Sequence, residues 1–165
     1  MSTPVKFFER YTVLVHESDL IGALGSQIDE VRTLLGTVTD ARASQLDLPY
    51  TWTIKQVVQH IIDAERVFGY RALRFSRADA TPLPGFDENA YASAIDVSGR
   101  SAADLVEEFE SLRRSHVLLF KNLAPDAWAQ KGTASGIVWS VMDLAKAVVG
   151  HARHHLQIVE KRLSS

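Results

Sequence analysis

Gly150-His151-Ala152-Arg153-His154-His155-Leu156-Gln157 holds three of the six histidines of the chain. It lies inside a run, Ser140 to Leu163, that reads as one amphipathic helix. Val141, Leu144, Val148, Ile158 and Val159 fall on one side of it at 3.6-residue spacing. His151 and His155 are four apart and stack one turn above the other. At about 100° per residue both point into the middle of the apolar stripe, while His154 points roughly 80–100° to one side. An unpaired buried polar group costs on the order of 1–3 kcal/mol, so two imidazoles there need partners. Either each is hydrogen-bonded within the core, or the pair presents two ring nitrogens to one metal ion.

Working back from that helix, Thr53 followed three residues on by Gln56 is a capping box, so a helix starts there and runs to about Arg77. Its buried face carries Ile54, Val57, Val58, Ile61, Ile62 and Phe68, with His60 on the flank and Glu65 near the centre. A carboxylate among apolar residues is either bonded to an Arg, Tyr or Trp of another helix, or faces the same cavity as the histidines. Leu20, Leu24, Ile28, Val31 and Leu35 mark an earlier helix, with Asp19 as N-cap and Gly36 as stop. Ser101 to Lys121 forms a third, capped by Ser101 with Asp104. Its seam is Leu105, Phe109, Leu112, His116, Leu119 and Leu123, with His116 a packed core histidine. A short apolar piece, Val5 to Val15, is expected to form one or two turns across the bundle.

Residues 78–100 are too long for a tight helix–helix turn. They form a crossover with one helical turn from Asp87 to Tyr91, and Phe86, Asp87, Glu88 and Tyr91 are positioned to line a site mouth. Pro125 to Trp128 reads as a short turn, and Lys131 to Gly136 as a loop. No alternating strand pattern of convincing length is present. The fold class is therefore all-α, a four-helix bundle with a long crossover between the second and third helices.

The 165 residues fit a single domain, 1–165. A hydrophobic content of 46% with 23% charged residues is that of a soluble globular protein, and a net charge of −2 gives no basis for nucleic acid or anionic membrane as partner. The chain has no cysteine, which excludes disulfides, a thiol nucleophile and thiolate metal ligands. That fits a reducing cytosol, so a cytoplasmic location is expected. The opening MSTPVKFFER has no signal-peptide pattern, and the longest apolar runs fall short of the ~20 residues of a spanning helix.

In a four-helix bundle the second and fourth helices can face each other, which makes His60 the third ligand beside His151 and His155. Three imidazoles with an open fourth position is the layout of a catalytic site, suited to zinc, nickel or another first-row divalent ion. Such an ion makes its bound water a nucleophile near neutral pH, or takes a substrate thiolate. Glu65, and less so Asp63, are the carboxylates available as base or supporting group, and Glu65 is preferred because it faces inward. Arg153 and Gln157 fall on the solvent side.

Trp52-Thr53-Ile54-Lys55 followed by His60-Ile61-Ile62-Asp63-Ala64-Glu65-Arg66 resembles the W-S-I-K…H-L-A-D-x-E segment of DinB-like proteins, the YfiT-type metal-dependent hydrolases. The resemblance continues through Pro82–Tyr91, Gly132–Gly136 and Gly150–Leu156, spanning about residues 19 to 160. It implies a four-helix bundle, often dimeric, with a divalent metal held by His60, His151 and His155. The position after His151, commonly acidic in such proteins, is Ala152 here. The resemblance also implies a small-molecule substrate. The chemistry is either hydrolysis or S-transfer with a low-molecular-weight thiol as co-substrate. The alternative is a non-enzymatic metal-binding or stress-associated dimeric bundle.

Overall fold

A computed structural model describes residues 9–164. The expected helical piece Val5 to Val15 falls partly outside them; within them, residues 9–12 are helical. The elements that follow are α1 (Leu20–Leu35), the short α2 (Asp40–Ala43), α3 (Ile54–Ser76), α4 (Glu88–Ala94) and α5 (Ala102–Lys121). A 3-10 turn (Pro125–Ala129), β1 (Lys131–Ala134), β2 (Ile137–Ser140) and α6 (Val141–Leu163) complete the chain. The bundle is α1, α3, α5 and α6, as expected. Among the described residues, no helix is long and apolar enough to cross a membrane.

Local chemistry sets the helix starts. Asp19 accepts from the Gly22 amide at the head of α1. Thr53 with Gln56, Ser101 with Asp104 and Ser140 with Asp143 each form a reciprocal capping box, satisfying two orphan amides apiece. The apolar faces then pair: α3 packs most extensively on α6, and α1 on α5. Two contiguous clusters fill the core. One lies around Leu24, Phe68, Phe75 and Leu144, the other around Val58, Ile62, Phe109 and Val159.

Two expectations are corrected. Of residues 131–136 only Ser135 and Gly136 form a turn: β1 and β2 form an antiparallel hairpin around it, pairing Lys131 with Ser140 and Ala134 with Ile137. Leu83 of the crossover joins it through a parallel bridge to Ala134. Its amide donates to the Thr133 carbonyl at 2.9 Å, and its carbonyl accepts from the Ser135 amide at 3.1 Å. The crossover is thereby clasped to the hairpin, and its helix, capped by Asp87, extends from Glu88 to Ala94 rather than stopping at Tyr91.

The second correction concerns α5. Leu112 and Leu119 are only half-buried, while Arg113 and Phe120 are fully buried. The seam thus runs Leu105, Phe109, Arg113, His116 and Phe120. Arg113 sits where the four bundle helices meet. Its Nε and Nη2 donate to the two carboxylate oxygens of Glu65 at 2.7 and 2.8 Å. Its Nη1 donates to the Leu24 carbonyl at 3.1 Å and to Gln27 Oε1 at 2.6 Å. Gln27 Nε2 donates in turn to the Val149 carbonyl of α6 at 2.9 Å. Every polar group of this junction has a partner, which is the condition for tolerating charge in a core.

Candidate metal centre

α3 supplies His60 and α6 supplies His151 and His155 to one end of the bundle core. His60 Nε2 and His151 Nε2 lie 3.0 Å apart. The ring centroids of His155 are 4.8 Å from those of His60 and 4.5 Å from those of His151. One nitrogen from each ring falls within 4.8 Å of the others. Trp52 packs against His60, and Tyr11 and Phe68 pack edge-on against His151. Tyr11 can come so close because residue 150 is glycine: a Cβ there would lie 2.0 Å from the Tyr11 carbonyl oxygen.

Burial holds these imidazoles neutral. It pushes His151 well below the ordinary range, with His155 and His60 adding to the effect. It brings His155 down to about 3. His60 is lowered by burial as well, against the opposing charges of Glu88 and Asp63. His155 Nε2 is buried with no hydrogen-bond partner among the described residues.

The donor set fits a divalent cation. Two nitrogens bound to one ion at 2.0–2.1 Å lie about 2.9 to 3.4 Å apart for right-angled or tetrahedral coordination, and the His60–His151 spacing falls in that range. His155, whose Nε2 is unpartnered, brings a ring nitrogen within 4.8 Å of theirs. Three neutral imidazoles with no thiolate suit zinc, nickel or copper.

The triad opens on a cavity of about 370 Å³ whose wall includes Trp52, Phe68, Trp139, Glu88, Arg71 and Ser135. Other expected site residues are placed differently. Glu65 does not line this cavity: it is 2% exposed, and both its oxygens are taken by Arg113, one also facing His116 Nδ1 at 3.1 Å. Burial alone pushes this carboxyl up, but the Arg113 charge and the His116 and Arg113 hydrogen bonds outweigh it and hold the carboxyl low. Of the two readings of Glu65, the contact made is the one to an arginine of another helix. His116 accordingly packs in the core against Glu65, with Gly69 leaving room for its ring.

Asp63 is engaged by Gln59 and Arg66. Of the crossover residues, Phe86 and Glu88 line the cavity, whereas Asp87 caps α4 and Tyr91 lies outside. Arg153 is half-buried, donating to the Leu14 carbonyl and to Glu17, while Gln157 is exposed. Sequence reasoning passed over Tyr11, Trp139, Ser135 and Arg71. Only Arg71 had a readable signal. It stands eleven residues after His60, three helical turns on and within about 20° of the same face.

Comparison with known proteins agrees with this architecture. One solved structure is YfiT from Bacillus subtilis, described as a probable metal-dependent hydrolase with an unusual four-helix bundle topology. It superposes with a TM-score of 0.75 at 16% identity, over 88% of this chain and 86% of that one. No curated protein matches the sequence. The DinB superfamily model matches residues 23–159, most of the bundle and all three histidines of the centre. This chain therefore belongs to the DinB superfamily.

Proposed function

We propose that the chain binds a divalent cation, zinc or nickel, through His60, His151 and His155, and acts as a metal-dependent enzyme on a small molecule. The reaction is either hydrolysis or S-transfer from a low-molecular-weight thiol. The observation that carries this reading is the convergence of three neutral imidazoles, one with a buried unpartnered nitrogen, in the wall of one cavity. The likeness to a structure described as a probable metal-dependent hydrolase supports it. When bound, such an ion supplies Lewis acidity that activates water or a thiol at its open position.

The protein's own residues do the rest. Burial keeps the three rings unprotonated, so their lone pairs stay available at neutral pH. Trp52, Phe68 and Trp139 provide an apolar wall that excludes water around the substrate. Glu88 is the carboxylate of the lining, and proton transfer in the hydrolytic form falls to it rather than to Glu65. With no cysteine in the chain, the thiol of the transfer reaction comes from a co-substrate. A homodimer in the cytoplasm belongs to the same reading; strictly monomeric sedimentation at micromolar concentration removes the dimer.

The test is metal content of protein purified without a polyhistidine tag, compared with a His60→Ala, His155→Ala double variant. The expected result is near-stoichiometric metal in the parent and little in the variant. Equal metal in both overturns the ligand set. Bound metal with no turnover of esters, amides or thiol acceptors leaves a metal-binding bundle and overturns the enzymatic part.

A further inference from the structure

Three arginines are buried in this protein: Arg71, Arg113 and Arg162. Arg113 is paired with Glu65 and Arg162 with Asp47. Arg71, 4% exposed, has no carboxylate partner among the described residues. Its Nη2 donates to the Pro84 carbonyl at 3.0 Å and to Ser135 Oγ at 2.9 Å. Both acceptors are neutral, and its Nε and Nη1 have no hydrogen-bond partner among the described residues. Burial lowers its pKa, with no acidic neighbour opposing the shift. A buried guanidinium that keeps free N–H donors is costly unless an anion completes it.

The position of these donors matters. Arg71 lines the same cavity as the three histidines and also borders a smaller hollow beneath Phe86 and Tyr91. Eleven residues along α3 place its Cα about 16 Å from that of His60, on the same helix face. The two acceptors that grip Nη2 come from the crossover and the hairpin turn, which Leu83 clasps together. The guanidinium is thus held in orientation before any ligand arrives. Glu88, the carboxylate of the lining, acts on His60 and Tyr11, at the histidine end.

We infer that Arg71 is the recognition site for a carboxylate on an elongated small molecule whose other end reaches the three histidines. Nε and Nη1 share no edge of the guanidinium, so its free donors offer a carboxylate single charge-assisted hydrogen bonds rather than a bidentate fork. A carboxylate is preferred over phosphate because one buried cation neutralises a monoanion, whereas a phosphate dianion would leave buried charge. This deepens the proposed function and rests on it for the identity of the reacting end; the carboxylate contact itself needs no metal.

The test uses the full chain loaded with zinc, and ω-mercaptocarboxylic acids of increasing chain length as probes. Their neutral amides and methyl phosphate serve as controls. Trp52 and Trp139 line the cavity, so tryptophan fluorescence reads occupancy. The acid is expected to bind roughly ten- to a hundredfold tighter than its amide at the best chain length. Arg71→Met should abolish that preference, and Arg71→Lys should keep part of it, with zinc content unchanged in both. Equal binding of acid and amide by the parent, an undiminished preference in Arg71→Met, or stronger binding of methyl phosphate overturns the inference. If Arg71→Met fails to fold, the acid–amide ratio in Arg71→Lys and in the parent still decides. Retained preference in a variant lacking zinc, His60→Ala with His155→Ala, would separate this site from the metal reading and leave it standing.

Discussion

At the scale of single residues, the three buried imidazoles make a pH prediction. In the unfolded chain His155 titrates near 6.5, but in the folded one it is held at about 3. Between those values the unfolded state binds the extra proton, so stability rises with pH through this window and falls on acidification. His151 and His60 shift in the same direction. Chelator-treated protein should therefore lose melting temperature as pH drops from 7.5 to 5, and His155→Ala should flatten that slope. An unchanged slope in the variant would mean that another group carries the effect. At Gly150, an added Cβ meets backbone rather than a movable side chain. Gly150→Ala should push the segment around Tyr11 away from α6, at a cost of roughly 1–3 kcal/mol. Faster deuterium exchange at residues 9–15, with α6 still protected, is the expected record.

At the scale of elements, the four bundle helices were legible because each combines a 3.6-residue apolar rhythm with cap chemistry. Thr53 with Gln56 and Ser140 with Asp143 announced where α3 and α6 begin. The histidines were legible for a related reason: four-residue spacing on a buried stripe fixes where two rings point. The hairpin was not legible, since four-residue strands are too short to display an alternation, and Gly132-Thr133-Ala134-Ser135-Gly136 carries turn-forming residues throughout. Arg113 was missed because Leu112, next to it, also fits the seam spacing and is apolar. Only the partners on α1 and α3 make burying the arginine tolerable. Arg113→Met alone should cost about 3–5 kcal/mol, because Glu65 is left as an uncompensated buried charge. Arg113→Met combined with Glu65→Leu should recover most of that loss. Urea unfolding of both variants checks this, and an equal loss in the two would contradict the pairing.

For the whole molecule, α3 and α6 bring His60, His151 and His155 together only in the folded bundle, so an ion held by them would stabilise the native state by mass action. At 100 to 1,000 times the dissociation constant, zinc or nickel should add roughly 3–4 kcal/mol. The rise in melting temperature should vanish in the His60→Ala, His155→Ala variant. The same rise in that variant would place the ion elsewhere.

The junction of Arg113, Glu65, Gln27 and His116 has an evolutionary corollary. A sequence drifting from this one cannot lose the guanidinium and the carboxylate one at a time without passing through a poorly folded intermediate. Across descendants of this bundle the two should be inherited as a unit, both kept or both exchanged for apolar residues. A lineage retaining either one alone should show a compensating charge nearby.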